Sequence, residues 1–119
     1  MTYVDGFVFT VQKSRIEEYK KLANAAAPVW KEHGALSYTE CLIEDERIEG
    51  VYSFLDMCDM KEGRTVAFAY ITYRDRAHRD EVNAKVMQDP RLADMCDPKN
   101  MPFDFSTMAM GGFVPVVDC

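Results

Sequence analysis

A small set of polar residues interrupts segments that are otherwise apolar, and these residues are the candidates for chemistry. Asp5, His33 and Glu40 carry groups that transfer protons, so they are the candidate catalytic residues. The candidate ligand-binding residues offer a flat ring, a hydroxyl, a guanidinium, an amide or a further carboxylate, and they are Trp30, Tyr38, Arg79, Asn83 and Asp104. Because the sequence contains no phosphate-binding loop, HExxH, GxSxG or close Cys-His pair, it does not specify a reaction.

Two of the acidic candidates lie in different predicted strands, at residues 3–11 and 36–44. If these two strands pair, Asp5 and Glu40 lie on the same face of the sheet, and two buried carboxylates close together raise the pKa of at least one of them. A carboxylate of that kind suits a general base. The alternative is that each carboxylate pairs with an arginine such as Arg74 or Arg79, or accepts backbone N–H groups.

Structural roles also explain three of the other candidates. His33 lies in the last turn of a predicted helix, where the helix dipole favours an imidazolium, so it is either a helix stabiliser or an acid–base group. Trp30 lies one turn earlier and is either a core residue or a pocket wall. Asp104 follows Pro102 and Phe103, so it is a candidate turn cap as well as a candidate ligand-binding residue.

The acidic residues Asp89, Asp94, Asp97 and Asp104 lie near Cys96 in the sequence, as a set of metal ligands would. Because Asp89 and Asp97 precede prolines, where helix or turn capping explains them, we expect neither a metal nor a cofactor. The cysteines are scattered without a CxxC pair, so we expect them to be reduced, small buried hydrophobic residues, with a reactive thiol as the alternative. These cysteines are Cys41, Cys58, Cys96 and Cys119.

The composition limits the class of partner. The chain has 119 residues, of which 48% are hydrophobic and 29% charged, and this fits one globular domain over residues 1–119. Its net charge of −6 repels nucleic-acid phosphates and anionic lipids, so we expect neither nucleic acid nor a membrane as partner. No basic segment precedes an apolar one at the start, and no apolar run reaches the roughly 20 residues of a membrane helix. We therefore expect a soluble, cytoplasmic protein.

The periodicity of the apolar residues places the candidates on four strands and three helices. Strands are predicted at residues 3–11, 36–44, 65–73 and 106–117. Helices are predicted at residues 14–34, where Ser14 and Glu17 have the spacing of a capping box, at 75–88, with Asp75 as its N-cap, and at 90–97, with Asp89 as its N-cap. The connection over residues 45–64 is predicted to hold a short strand or a helical turn. The resulting βαββαβ order, with a helical insertion before the last strand, is typical of a ferredoxin-like α+β fold with a four-stranded antiparallel sheet.

Helices cover only one face of such a sheet. The predicted strands are apolar on both faces, with Phe7 and Phe9 on one side of the first strand and Val4 and Val8 on the other. A large apolar face left in water is unfavourable, so we expect a homodimer in which two sheets pack face to face.

Five motifs occur in one order along nearly the whole chain: YVDGF (3–7), WKEHGAL (30–36), YTEC (38–41), RDEVNAKVMQDPR (79–91) and MPFD followed by GGF (101–113). Together they resemble the DUF1428 family. The resemblance implies the dimeric α/β-barrel superfamily, whose fold is the ferredoxin-like dimer. Relatives in that superfamily include cofactor-independent monooxygenases, haem-degrading enzymes and chlorite-dismutase-like proteins, whose ligands lie between the helices and the sheet.

Two functional hypotheses follow. In the first, the protein binds a small, partly apolar molecule in the cleft between helices and sheet, as a binding protein or as a cofactor-independent oxygenase-like enzyme, with Asp5, Glu40, His33 and Trp30 lining the cleft. In the second, it is a dimeric interaction or regulatory module without turnover, because no complete catalytic constellation is present.

Overall fold

The computed structural model describes residues 2–58, 61–97 and 99–119, and in this part of the chain it contains four strands and four helices. Their bounds are β1 Tyr3–Gln12, α1 Ile16–Glu32, β2 Ser37–Leu42, α2 Phe54–Met57, β3 Arg64–Tyr73, α3 Arg76–Met87, α4 Pro90–Met95 and β4 Ala109–Phe113. Short 3₁₀ turns lie at Lys13–Arg15 and Phe105–Thr107. With α2 and α4 as small additions, the order is βαββαβ, which confirms the predicted ferredoxin-like α+β fold.

The four strands form one antiparallel sheet in the order β2-β3-β1-β4. The two central strands, β1 and β3, are ten residues long, whereas the edge strands β2 and β4 have six and five. The expectation that the first two strands pair was therefore wrong, because β3 lies between them. A long strand that is apolar on both faces buries more surface in the centre of the sheet than at its edge, which explains why β3 takes that position.

One face of the sheet packs against α1 and α3 and forms the core. Two clusters of buried residues lie on this face, and Phe7 of β1 packs against both. The first joins the sheet to α1 and α3, and it contains Tyr3, Val29, Ala35, Ile71, Tyr73, Val82 and Val86. The second joins the other end of the sheet to the start of α1, and it contains Phe9, Val11, Tyr19, Ala67 and Ala69.

The opposite face of the sheet carries exposed apolar side chains. Phe68 of β3 is 44% exposed and Phe113 of β4 is 60% exposed. Together with Val4, Val8 and Tyr70 they line a shallow depression across β3, β1 and β4. These side chains form the apolar surface for which the sequence predicts a cover.

The start of the first helix differs from the prediction. Ser14 does not cap α1; instead Lys13–Arg15 forms a 3₁₀ turn, and the Arg15 guanidinium donates to the backbone oxygens of Asn100 and Met101 at 3.0 Å each. The capping box fails because this long-range contact fixes the start of the helix. The first helix ends where Gly34 takes a φ of +116°.

The later helices begin at aspartates, as predicted. The side chain of Asp75 accepts a hydrogen bond from the backbone N–H of His78 at the start of α3, and Asp89 accepts one from the N–H of Arg91 at the start of α4. Pro90 occupies the first position of α4, where its missing N–H costs nothing.

Three further expectations need correction or completion. The last strand covers Ala109–Phe113 rather than residues 106–117, because a 3₁₀ turn precedes it and Pro115, which has no N–H to donate, follows it. The 45–64 connection contains the short helix α2, and its residues 59 and 60 lie outside the described residues. The cysteines are not buried as expected, since Cys41, Cys96 and Cys119 are exposed.

Gly112 of β4 lies directly beside the ring of Tyr3. A Cβ atom at this position would overlap the tyrosine hydroxyl and lie 2.7 Å from Cζ. The sequence predicts that Gly111 and Gly112 allow a bulge or a close backbone approach, and the structure shows the close approach at Gly112. Among the described residues, each helix is too short or too polar to cross a lipid bilayer.

Candidate ligand cavity

A cavity of about 590 Å³ lies between the sheet and the helices. Its floor is the helix-covered face of the sheet, one side is α1, and the remaining walls come from α3, α4 and residues 101–108. The walls are mainly apolar. The aromatic wall residues are Phe7, Phe9, Tyr19, Trp30, Tyr38, Phe103 and Phe105, and the methionines are Met87, Met95, Met101, Met108 and Met110.

Alternation along the strands places two carboxylates on the cavity floor. Asp5 of β1 and Tyr38 of β2 both lie opposite Ile71, whereas Glu40 of β2 lies opposite Ala69, one step further along the same face. Asp5 and Glu40 thus share the helix-covered face, as predicted, although β3 lies between their two strands. The two carboxylates have different partners.

Glu40 is held by two tyrosine hydroxyls. Tyr19 of α1 donates to Oε1 at 2.8 Å, and Tyr38 of β2 donates to Oε2 at 2.7 Å. Burial raises the pKa of each tyrosine, and the Glu40 charge raises it further, so both phenols keep their protons and remain donors. This arrangement fixes the position of the carboxylate on the cavity wall.

Asp5 is paired with an arginine, which is the alternative that the sequence left open. Its side chain Oδ1 accepts a hydrogen bond from Nη1 of Arg79 at 2.9 Å, and Nη2 of Arg79 donates to the Tyr3 hydroxyl at 3.3 Å. Asp5 is only 3% exposed. Burial raises the pKa of Asp5 even though the charge and hydrogen bond of Arg79 act to lower it. Its raised pKa therefore comes from desolvation and Asp80, and not from Glu40.

Trp30 and Asn83 complete the predicted residues found on the cavity wall. The Trp30 and Tyr38 ring centroids are 6.3 Å apart with a 35° tilt, so the two side chains form one continuous aromatic surface. Asn83 of α3 lines the cavity, and its Oδ1 is buried without a hydrogen-bond partner in the described part of the chain. A buried acceptor without a partner is stabilised when a hydrogen-bond donor is placed next to it.

The structure places three predicted site residues outside the cavity lining. Arg79 lies behind Asp5 and acts on the cavity through it. His33 follows α1, and its Nε2 lies 2.8 Å from Oδ2 of Asp89, so the imidazole connects α1 to the start of α4. Hydrogen bonds, first from Arg91 and then from His33, hold the pKa of Asp89 well below its usual range.

Asp104 acts as a turn cap, which was the simpler of its two predicted roles. Its Oδ1 accepts from the backbone N–H and the hydroxyl of Ser106, at 2.9 and 2.6 Å. These bonds lower the pKa of Asp104. The cap orients the 3₁₀ turn that carries Phe105 onto the cavity wall.

Sequence reasoning did not identify Tyr19 as a site residue. It is a buried residue of α1, its hydroxyl partner is 21 residues away, and no local pattern indicates it. The wall formed by residues 101–108 was likewise not assigned to the cavity, because this segment was predicted to be a turn at Asp104 followed by the strand 106–117. Only the methionine-rich composition of that segment signalled an adaptable apolar surface.

The fold and the cavity define a class: a ferredoxin-like α+β protein, of the kind seen in dimeric α/β barrels, with a ligand-sized space between sheet and helices. The sequence profile of the family described as "Protein of unknown function (DUF1428)" matches residues 2–105, and the chain belongs to this family. The uncharacterized protein YbaA of Escherichia coli strain K12 is 38% identical over 118 residues, which cover 99% of each chain.

Solved structures support the same fold at low sequence identity. An uncharacterized NIPSNAP domain protein from Burkholderia xenovorans aligns over 98% of this chain and 97% of its own, with a TM-score of 0.57 and 14% identity. A NIPSNAP family protein from Agrobacterium tumefaciens gives a TM-score of 0.59 at 12% identity over 98% and 94% of the two chains. A mutant of SnoaB, a cofactor-independent oxygenase from Streptomyces nogalater, gives 0.58 at 13% identity over 98% and 95%.

Proposed function

We propose that the protein binds a small, largely apolar molecule in the cavity between its sheet and its helices. The observation that carries this proposal is the cavity itself, which has a volume of about 590 Å³ and mainly aromatic and methionine walls. Ligand pockets in proteins are typically about 300–1,000 Å³ and combine apolar walls with a few placed polar groups. Asp5, Glu40 and Asn83 are such groups here.

The test is to fill the cavity from one side. Ala26 of α1 lines the cavity, whereas its neighbour Ala25 is exposed, so Ala26→Phe and Ala25→Phe form a matched pair. Native mass spectrometry of the protein as isolated, and the fluorescence of Trp30, which is the single tryptophan, report a bound molecule. We expect Ala26→Phe to lose the retained molecule and Ala25→Phe to keep it. Equal retention by both variants would contradict binding at this site.

The assembly we propose is a homodimer through the face of the sheet opposite α1 and α3. Supporting it are the exposed fractions of Phe68 and Phe113, 44% and 60%, and the continuity of that surface with Val114, which is 54% exposed. Stable interfaces bury about 1,200–2,000 Å² in total, and an apolar sheet face is the type of surface that supplies such an area.

A charge placed on this face tests the dimer. We expect Phe68→Glu to convert the protein to a monomer in analytical ultracentrifugation, because a carboxylate would be buried between two sheets. Tyr52, which is 72% exposed and outside this surface, provides the control Tyr52→Glu, which keeps the dimer. A wild-type protein that sediments as a monomer at micromolar concentration would refute the assembly.

A catalytic form of the function is the second candidate, favoured by the position of Asp5. Burial raises the pKa of this cavity-wall carboxyl, and a carboxylate with a raised pKa is a better proton acceptor than an ordinary one. SnoaB, whose fold is similar, is a cofactor-independent oxygenase. Incubating the retained molecule with the protein under dioxygen and under nitrogen tests oxygenation, since an oxygenase adds mass only under dioxygen.

The alternative is a non-catalytic interaction module. It is supported instead if the isolated protein retains no molecule and if Ala26→Phe leaves the mass spectrum free of any lost ligand.

A further inference from the structure

We propose that the molecule bound in the cavity carries a positively charged amine on an apolar body, and that Glu40 is the group that recognises the amine. This inference rests on the proposed function and names the class of ligand. It also excludes a class, because carboxylates and phosphates of similar size would be rejected.

The geometry of Glu40 leaves acceptor capacity free. Each of its oxygens accepts one tyrosine hydroxyl, from Tyr19 and Tyr38, as both oxygens of an ionised carboxylate do. A carboxylate accepts about four hydrogen bonds, so roughly two acceptor positions remain. The hydroxyl donors fix the side chain and do not neutralise it, because a phenol carries no charge.

The charges around the cavity are unequal. Asp5 is neutralised by Arg79, with Nη1 at 2.9 Å from Oδ1. Among residues 2–58, 61–97 and 99–119, no lysine, arginine or histidine forms an ion pair with Glu40. The described part of the cavity therefore carries one carboxylate without a counter-charge. A cation compensates that charge, whereas an anion adds a second negative charge beside a carboxylate that is only partly exposed to water.

The walls favour the same ligand class. Glu40 is surrounded by aromatic side chains, since Tyr19 and Tyr38 are bonded to it and Trp30 packs beside Tyr38. Aromatic faces attract organic cations, most strongly where water is excluded, and they also accept an apolar body. A carboxylate among aromatic rings thus matches an ammonium group attached to a hydrocarbon better than it matches a neutral polar molecule.

Three probes of one shape and different charge test this assignment: adamantylmethylamine, adamantylmethanol and adamantane carboxylate. None absorbs where tryptophan does, so quenching or enhancement of Trp30 fluorescence reports binding of each. At neutral pH we expect the amine to bind about tenfold more tightly than the alcohol, equivalent to about 1.4 kcal/mol, and the carboxylate about tenfold more weakly.

The variant Glu40→Gln keeps the shape of the side chain and removes its charge. We expect the amine and the alcohol to bind it with dissociation constants within about threefold of each other. Glu49→Gln changes the net charge equally at an exposed position outside the cavity, and we expect it to keep the wild-type preference. If Glu40→Gln does not fold, the three probes on the wild type still decide the class of ligand.

The outcomes separate this inference from the proposed function. Binding of the alcohol with no preference for the amine, or a preference for the carboxylate, overturns the ligand class and leaves the cavity as a binding site. An amine preference that survives in Glu40→Gln overturns the role of Glu40. Failure of all three probes to bind the wild type counts against the cavity as a site for molecules of this size, and with it against both proposals.

Discussion

Replacing Arg79 with methionine removes the positive charge beside Asp5 while keeping a side chain of similar length. Asp5 is 3% exposed, and its Oδ1 accepts from Arg79 Nη1 at 2.9 Å, so the variant leaves a buried carboxylate without its counter-charge. Breaking a buried pair in this way costs about 3–5 kcal/mol of unfolding free energy. Protonation of Asp5 limits the loss, because the neutral acid has no charge to bury.

The loss therefore depends on pH. Burial already raises the pKa of Asp5 against the opposing effect of Arg79, so removing Arg79 raises it further. When the folded-state pKa lies above the unfolded one, the folded chain binds more protons between the two values, and stability falls as the pH rises through that window. We expect the Arg79→Met variant to lose most stability at about pH 8 and to regain much of it as the pH falls towards about 4, because Asp5 in the folded state then takes up a proton.

Urea unfolding at several pH values measures this effect. Arg76→Met, an exposed substitution on the same helix, is the control and should change stability little at any pH. The double variant Arg79→Met with Asp5→Asn has no buried charge, so we expect it to be more stable than Arg79→Met at about pH 8 and to lose the pH dependence. The reasoning is refuted if the loss in Arg79→Met is the same at both ends of the pH range, or if Asp5→Asn does not relieve it.

Three further substitutions give separate predictions. Gly112→Ala should cost about 1–3 kcal/mol in urea unfolding, because its methyl group overlaps a buried tyrosine ring, whereas Gly111→Ala meets only a movable phenylalanine side chain at 3.6 Å and should cost less. Asp89→Asn should flatten the acid limb of the stability curve, since the pKa of Asp89 is held down by its arginine and histidine partners and its contribution is lost as the pH falls below about 3.9; an unchanged acid limb would contradict this. Tyr38→Phe removes one of two donors to Glu40 and should lower the unfolding free energy by about 2 kcal/mol, and a neutral effect would show that water replaces the hydroxyl.

Local patterns predicted the elements and their faces well. Alternation in the first strand placed Tyr3, Asp5 and Phe9 on one side, and all three are buried under the helices. The aspartates before α3 and α4 were predicted as caps and act as caps. These features depend on residues within a few positions of one another, so the sequence contains the information directly.

Features that depend on distant neighbours were harder to predict. The period of a strand shows which face a residue occupies but not which strand lies beside it, so the pairing of β1 with β2 was expected and β3 was found between them. The contact of Arg15 that replaces the predicted cap at Ser14 was likewise not foreseen, because its partners are 85 and 86 residues away in the sequence. The Tyr19 bond to Glu40 follows from packing of α1 on β2, which no local motif encodes, whereas Tyr38 and Glu40 lie two residues apart on one face of β2.

The cavity wall opposite the sheet has a consequence for selectivity, because it carries four methionines, Met87, Met95, Met101 and Met108. Their unbranched side chains change rotamer at low cost, so this wall adjusts to bodies of different outline and does not measure their shape. Glu40, held by two hydroxyls, and Asp5, held by Arg79, are fixed points on the opposite floor. If the cavity binds the proposed ligand, discrimination falls on its head group, and a series of compounds sharing one head group but differing in their hydrocarbon part would be accepted with similar affinity.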